Sequence, residues 1–492
     1  MTFTLQHLLP AAPEIFLLTM IALLLVIDVS LPERYRAFTY YMVQATLAGV
    51  AALVLMAWPD QPLLRFNGTF VNDPLAAVLK LSIVLVTFFV FVYSKPYLRD
   101  RNLFKGEYFI LGLMAVLGML VLVSAHSLLT VYLGLELLSL SLYAMVGLHR
   151  ESITASEAAM KYFVLGALAS GMLLYGMSLL YGVTGSLDLA GIAHYLAGNA
   201  GEGPMDQAIE GELAGIHPVL VLGLIFVLIG VAFKLGAAPF HMWVPDVYHG
   251  APTAVTLFIG SAPKIAAFAM LMRLLVEGLG TLADDWTQML AILAVASMAI
   301  GNIIAIAQDN LKRMLAYSTI AHAGFLFLGI VAGTQAGFAA SMFYVIVYAL
   351  MAAGGFGMIV LLSRADVEAD RLEDFKGLNE RSPWYAFLML ILMLSMAGVP
   401  PFLGFWAKWS VLRELVNADI IWLAVVAVCF AIIGLFYYLR VVRLMYFDAP
   451  QDQTPIRAPV GMRVMISTNA LAILALGVYP TALMGICIAA IQ

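Results

Sequence analysis

Charge is what this chain has least of. Only 11% of its 492 residues are Asp, Glu, Lys or Arg, against about 25% in an ordinary soluble domain, and 63% are hydrophobic. That excludes a water-soluble enzyme and points to a polytopic membrane protein. Cysteine is nearly missing too. Cys429 and Cys487 lie far apart, both inside apolar runs, too few for a disulfide framework, a zinc site or an iron–sulfur cluster. No GxGxxG follows a strand and there is no P-loop, so nucleotide-binding and nucleic-acid functions find no support. The formal net charge of −5 says little about partners, because in a membrane protein the placement of charge outweighs its sum. No cleavable signal peptide is expected: the first apolar run, Ile15 to Ile27, has no basic segment before it and no small-residue cleavage site after it.

What the chain does have is long apolar runs. A spanning helix needs about 20 mainly apolar residues. Runs of that kind lie at about 12–30, 37–57, 75–94, 107–124, 127–148, 155–183, 218–236, 251–277, 287–307, 313–332, 337–362, 383–413, 419–446 and 464–488, with the seventh continuing as a short broken half through about 241–249. The expected fold is therefore all-α and polytopic, with about fourteen transmembrane helices. The joint from Ser124 to Ser127 is short for a turn between two of them.

Basic residues orient the bundle. With the N-terminus outside, the inward loops hold seventeen of the 25 Lys and Arg, from Arg34 to Arg463, and the outward side holds only Arg65, Arg273 and Arg413. The outward loop from Gly185 to His217 has no basic residue but carries Asp188, Glu202, Asp206, Glu210 and Glu212. Both termini are expected outside, on the periplasmic face of a bacterial inner membrane.

Two runs are broken, the seventh at Gly236-Ala-Ala-Pro239 and the twelfth at Gly398-Val-Pro400-Pro401. Proline removes a backbone donor and clashes with the preceding turn, so inside a bilayer a break survives where it is buried in protein or faces a wet cavity. Two ordinary proline kinks would read the same way. Five helices separate the breaks, however, so helices 4–8 and 9–13 can form two inverted five-helix repeats with ion sites beside the broken helices. The expected division is 1–106, 107–280, 281–450 and 451–492.

Five lysines fall within runs: Lys80, Lys161, Lys234, Lys264 and Lys408. Lys80, near the outer end of the third run, is expected to snorkel to the interface. Lys161 and Glu157 are one turn apart and can pair locally. Glu136 lies about ten residues into the fifth run, about 15 Å deep at 1.5 Å per residue. Lys264 is similarly deep, Lys234 closes the first half of the broken seventh run, and Lys408 follows the break in the twelfth. A charge at such depth costs about 2.5–3.5 kcal/mol even on a lenient scale, so these groups face a bundle interior or water. They serve either as fixed salt bridges or as carriers whose hold on a proton changes when an opposite charge withdraws. His241 beside the first break, and Ser318, Thr319 and His322 in AYSTIAHAG, can complete a hydrogen-bonded wire. His126, His149, His194 and His217 read as surface histidines.

The stretches PFHMWVPDVYHGAPTAVT with Lys264 after it, NLKRMLAYSTIAHAGF, and GVPPFLGFWAKW resemble the antiporter-like membrane subunits of respiratory complex I, the proton-pumping NADH:quinone oxidoreductase. PDVYHGAPTAVT is most similar to the branch of bacterial subunit N, the counterpart of mitochondrial subunit 2. Subunits L and M, Mrp antiporters and membrane hydrogenases usually read PDAH there, and subunit M has a glutamate where Lys408 stands. The resemblance implies that Glu136 partners Lys234, that Lys264 is the central lysine, that Lys408 is the distal one, and that Lys161 belongs with them. It also implies proton transfer coupled to quinone reduction, partners among the other membrane subunits, and FMN, iron–sulfur clusters and quinone on those partners, with no cofactor in this chain. A cation/proton antiporter subunit of the Mrp type, a membrane-bound hydrogenase subunit and a non-transporting scaffold remain the alternatives.

Overall fold

The computed structural model describes residues 8–32, 35–199, 218–365, 367–452 and 454–492. Arg34, Glu202, Asp206, Glu210, Glu212 and His217 lie outside the described residues. The chain is a bundle of helices in the order α1 Leu9–Ser30, α2 Arg36–Met56, α3 Pro74–Asp100, α4 Gly106–Val123, α5 Leu128–Val146, α6 Ile153–Thr184, α7 Pro218–Leu235, α8 Trp243–Gly250, α9 Thr253–Gly278, α10 Ala283–Ile306, α11 Leu311–Val331, α12 Gln335–Leu362, α13 Pro383–Ala397, α14 Leu403–Asn417, α15 Ile421–Phe447, α16 Val460–Val478 and α17 Thr481–Ile491. Among the described residues 13 helices are long and apolar enough to cross a membrane. The run at 383–413 makes the remaining crossing as two shorter helices, α13 and α14. A small antiparallel hairpin, β1 Leu63–Arg65 and β2 Phe70–Asn72, links α2 to α3.

Side-chain caps set the ends of the helices, which matters because a buried helix end has no water to satisfy its first N–H groups. The joint at Ser124–Ser127 is a true turn. Ser127 Oγ accepts from the Thr130 N–H and Thr130 Oγ1 accepts from the Ser127 N–H, both at 3.2 Å, a reciprocal cap that starts α5 at once. Asp73, Ser152, Asn310 and Thr334 likewise cap α3, α6, α11 and α12.

The broken crossing is the fourth in each of the sets α4–α9 and α10–α15. Since each set holds five crossings, the second enters the membrane from the opposite side to the first. The three most enclosed segments are α9, whose apolar window is 100% buried, and α11 and α12, each 94% buried. They form the centre, and both breaks point their loose ends at it.

Three sequence expectations need correction. Lys80 does not snorkel: it is 1% exposed and pairs with Glu14 of α1 at 2.6 Å, because a carboxylate on the neighbouring helix is closer than the interface. Arg273, assigned to the outward surface, is buried in α9, where its guanidinium holds Asp73 at 2.7 and 2.9 Å and Glu277 at 2.5 Å. Lys312, assigned to an inward loop, is buried at the start of α11 and donates to the Ala251 carbonyl at 2.8 Å. In addition, α9 is interrupted at Gly260–Ser261 and ends in a π turn. Pro263 cannot supply an N–H to the preceding turn. Ser261 Oγ donates instead to the carbonyls of Leu257 at 2.7 Å and Phe258 at 3.2 Å, and Lys264 follows directly.

Candidate functional site: two lysines on broken helix ends

Each break does the same chemical thing. The last turn of a helix leaves carbonyls without intrahelical donors and carries partial negative charge. At the end of α7, Lys264 Nζ donates to the Leu235 carbonyl at 3.0 Å and the Lys234 carbonyl at 3.4 Å, and lies 5.2 Å from the centre of the Trp243 ring. At the end of α13, Lys408 Nζ donates to the Ala397 carbonyl at 2.9 Å and the Met396 carbonyl at 3.1 Å, and lies 5.0 Å from the Phe325 ring. A left-handed glycine ends each helix, Gly236 with φ +78° and Gly398 with φ +85°. That turn lets the chain leave the helix axis without covering the carbonyls. A serine then receives the loosened backbone: Ser297 Oγ accepts from Ala238 N at 2.9 Å, and Ser395 Oγ accepts from Gly404 N at 3.0 Å. Lys264 is 4% exposed and Lys408 8%. Neither reaches toward lipid headgroups; both turn inward onto protein carbonyls.

Lys234 and Glu136 are neighbours without contact. Lys234 Nζ donates to Ser139 Oγ at 2.6 Å, and among the described residues it forms no ion pair within 4.0 Å. Glu136 Oε1 is buried with no hydrogen-bond partner. In place of the direct pair implied by the family resemblance, Lys234 in this conformation contacts Ser139, one helical turn from the glutamate on α5, and Ser139 Oγ donates to the Leu135 carbonyl rather than to Glu136. A cavity of about 20 Å³ joins Ser139, Lys234, Trp243, Pro263 and Lys264. A second, of about 10 Å³, joins Lys264 to Thr319, His322, Tyr344 and Tyr348. One water needs about 10–15 Å³ of such volume, so the first has room for one and the second is at the limit. Lys264 borders both.

Beyond Lys264 the polar groups are tyrosines as much as the expected residues. His322 Nδ1 lies 2.6 Å from Tyr344 Oη and Nε2 lies 3.1 Å from Tyr438 Oη. A neutral imidazole has one donor and one acceptor nitrogen, so one tyrosine donates to the ring and the other accepts. Ser318 Oγ shares a short hydrogen bond with Tyr438 Oη, and Tyr348 Oη donates to Thr319 Oγ1 at 2.7 Å. Between this group and Lys408 stands Phe325, its ring stacked on Tyr344. His241 is half-buried in the joint between α7 and α8 and lines neither cavity. Lys161 sits apart from the lysine sites. It holds Glu157 at 2.9 Å and Asp246 of α8 at 2.7 Å, and Asp246 also takes Arg313 at 3.1 Å, so this cluster fastens the second half of the broken seventh crossing to α6 and α11. Among the described residues no group of three or more His, Cys, Asp or Glu is placed to hold a metal ion.

Residues 125–434, which contain both breaks and all the buried lysines except Lys80, match the family described as NADH:quinone oxidoreductase/Mrp antiporter, TM. NADH-quinone oxidoreductase subunit N of Thiobacillus denitrificans is 58% identical over 491 residues, covering 100% of this chain and 99% of that one. That of Thioalkalivibrio sulfidiphilus is 56% identical over 492 residues, with 100% of both covered. The chain belongs to the subunit N family. A chain of respiratory complex I from Thermus thermophilus with bound aureothin, 32% identical, shares the fold with a TM-score of 0.80 over 96% of this chain and 98% of that one. A chain of the Mrp complex from Dietzia sp. DQ12-45-1b, at 20% identity, shares the fold alone, with a TM-score of 0.84. Against the family expectation, Lys264 and Lys408 occupy matching sites, Lys234 and Glu136 lie at the first of them, and Lys161 is tied to neither.

Ser139, Tyr344, Tyr348 and Tyr438 escaped the sequence reading. Ser139 had a usable signal, since it follows Glu136 by one turn in an otherwise apolar face. The tyrosines did not, because an aromatic in a spanning run packs as readily as it hydrogen-bonds.

Proposed function

We propose that this chain is the proton-translocating subunit N of an NADH:quinone oxidoreductase, coupling quinone reduction on partner subunits to proton transfer through Glu136, Lys234, Lys264 and Lys408. The supporting observation is the matched pair of broken helices, each presenting the carbonyls of its last turn to a buried lysine ammonium. Two such sites, in units of opposite sense, give a path two relays that are related by the fold rather than by chance. Residues 107–280 and 281–450 are the two units, with 1–106 and 451–492 as the flanking helices. Withdrawal of Glu136 from Lys234 loosens the proton on Lys234, which passes by way of the water-sized cavity to Lys264, along Thr319 and His322, and on to Lys408 for release. His241 and Ser318 flank the path. FMN, iron–sulfur clusters and quinone belong to partner subunits, and the drive arrives from neighbours by charge or movement. The membrane is the bacterial inner membrane, with both termini periplasmic.

The test is pumping by the assembled complex in liposomes, read as dye quenching against NADH oxidation in the same sample. Glu136→Gln and Lys234→Ala are expected to assemble fully and to lose most of the protons moved per NADH oxidised. Wild-type pumping by either variant overturns the assignment. Sodium-dependent proton exchange in membranes that lack NADH oxidation would instead place the chain with Mrp-type antiporters.

A further inference from the structure

At the end of the bundle that carries most of the basic residues, an open groove of about 630 Å³ runs between the end of α3 and the start of α16. Pro96 and Asp100 form one wall, and Arg457, Pro459 and Arg463 the other. The arginines at this end are of two kinds. Arg364 and Arg381 both hold Asp452, Arg381 also donates to the Thr454 carbonyl at 2.7 Å, and Arg101 holds Glu368 at 2.9 Å. The contacts of Arg364 and Arg381 strap the segment leading into α16 onto the protein, and Arg101–Glu368 ties the end of α3 to the loop after α12. Arg457 and Arg463 are exposed and have no hydrogen-bond or ion-pair partner among the described residues. Their level in the membrane is marked by Trp384, which is exposed and donates its indole N–H to Ser467 Oγ at 2.9 Å, one turn along α16 from Arg463. Exposed tryptophans gather at the membrane–water boundary, which puts Arg463 at headgroup height. Val464 and Leu471, exposed seven residues apart on one face of α16, continue the surface into the hydrocarbon.

We propose that this groove binds an anionic glycerophospholipid, its phosphate held between Arg457 and Arg463 and its acyl chains lying along Val464 and Leu471. A guanidinium matches the oxygens of a phosphate group in a bidentate geometry, and basic pockets between spanning helices on the cytoplasmic side favour anionic headgroups. Asp100, the acidic group of the groove, accepts from a headgroup hydroxyl and leaves the pocket with one net positive charge. A free phosphate ion meets the arginines but nothing along Val464 and Leu471.

The experiment is lipid titration of the whole complex after lipid depletion in mild detergent, counted by native mass spectrometry. Arg457→Gln/Arg463→Gln is expected to bind phosphatidylglycerol about thirtyfold more weakly than wild type, at roughly fivefold for each guanidinium, with unchanged subunit content and unchanged binding of phosphatidylcholine. Equal phosphatidylglycerol affinity in both proteins overturns the proposal. So does equal competition by phosphatidylethanolamine, equal competition by inorganic phosphate, or loss of a neighbouring subunit from the variant. None of these readouts depends on pumping, so failure here leaves the proton path untouched, and the reverse holds as well.

Discussion

A methyl group at Gly398 would lie 2.8 Å from Lys408 Cδ, and one at Gly236 would lie 2.8 Å from Val244 Cγ2. At both positions the backbone is also left-handed, a conformation that costs a residue with a Cβ about 1–2 kcal/mol. Gly398→Ala therefore combines backbone strain with displacement of the lysine from the Met396 and Ala397 carbonyls. The variant is expected to lower the midpoint of unfolding in detergent and to reduce proton pumping more than NADH oxidation. A variant with normal pumping would detach Lys408 from its place on the broken helix end. The glycine is thus part of the lysine site, although it carries no charge.

Among the elements, α1 is held to α3 by one buried ion pair, Glu14 with Lys80. The attraction of such a pair barely repays its dehydration, but removing one member strands the other, at a cost of about 3–5 kcal/mol. Lys80→Met is accordingly expected to destabilise the docking of α1 strongly, while Glu14→Leu/Lys80→Met together recover most of the loss. Equilibrium unfolding in micelles measures both, and equal destabilisation by the single and double variants would contradict the buried-pair account. The Asp73–Arg273–Glu277 cluster plays the corresponding part at the far end of α9. Nothing in the pattern of the runs distinguishes these tethers from the lysines beside the breaks. The distinction is made by the partner: Lys80 and Arg273 have carboxylates in contact, whereas Lys264 and Lys408 have only carbonyls and aromatic faces.

For the whole molecule, the loop before α16 tests how the basic end is held together. Asp452 is held down to about 2 by hydrogen bonds from Thr454 and by Arg364 and Arg381, below the usual carboxylate value of about 3.9. A depressed carboxylate stabilises the fold above its ordinary value and loses that contribution as pH falls through its folded one. Hydrogen exchange of residues 449–452 and 454–459, taken relative to the intrinsic amide rate at each pH, is therefore expected to match at pH 8 and pH 5, and to accelerate between about pH 4 and pH 2. Asp452→Asn should accelerate it at pH 7. Because Asp452 is partly exposed, added salt weakens the strap. Faster exchange relative to the intrinsic rate already at pH 5 would show that the loop is held by something else.

Hydropathy and proline placement alone determined the helical crossings, the two breaks and the lysines beside them. In a bilayer every backbone polar group must be satisfied within the chain, so a helix and its interruptions are written locally. What only the tertiary structure decided is which charge meets which group. Lys80 finds Glu14, Lys234 finds Ser139 rather than Glu136, and Lys264 finds the end of a helix thirty residues earlier in the chain. Those pairings depend on how neighbouring helices rotate and slide against one another. A rotation of one residue, about 100°, turns the same lysine toward a carboxylate, a carbonyl or lipid, and one-dimensional spacing does not specify it.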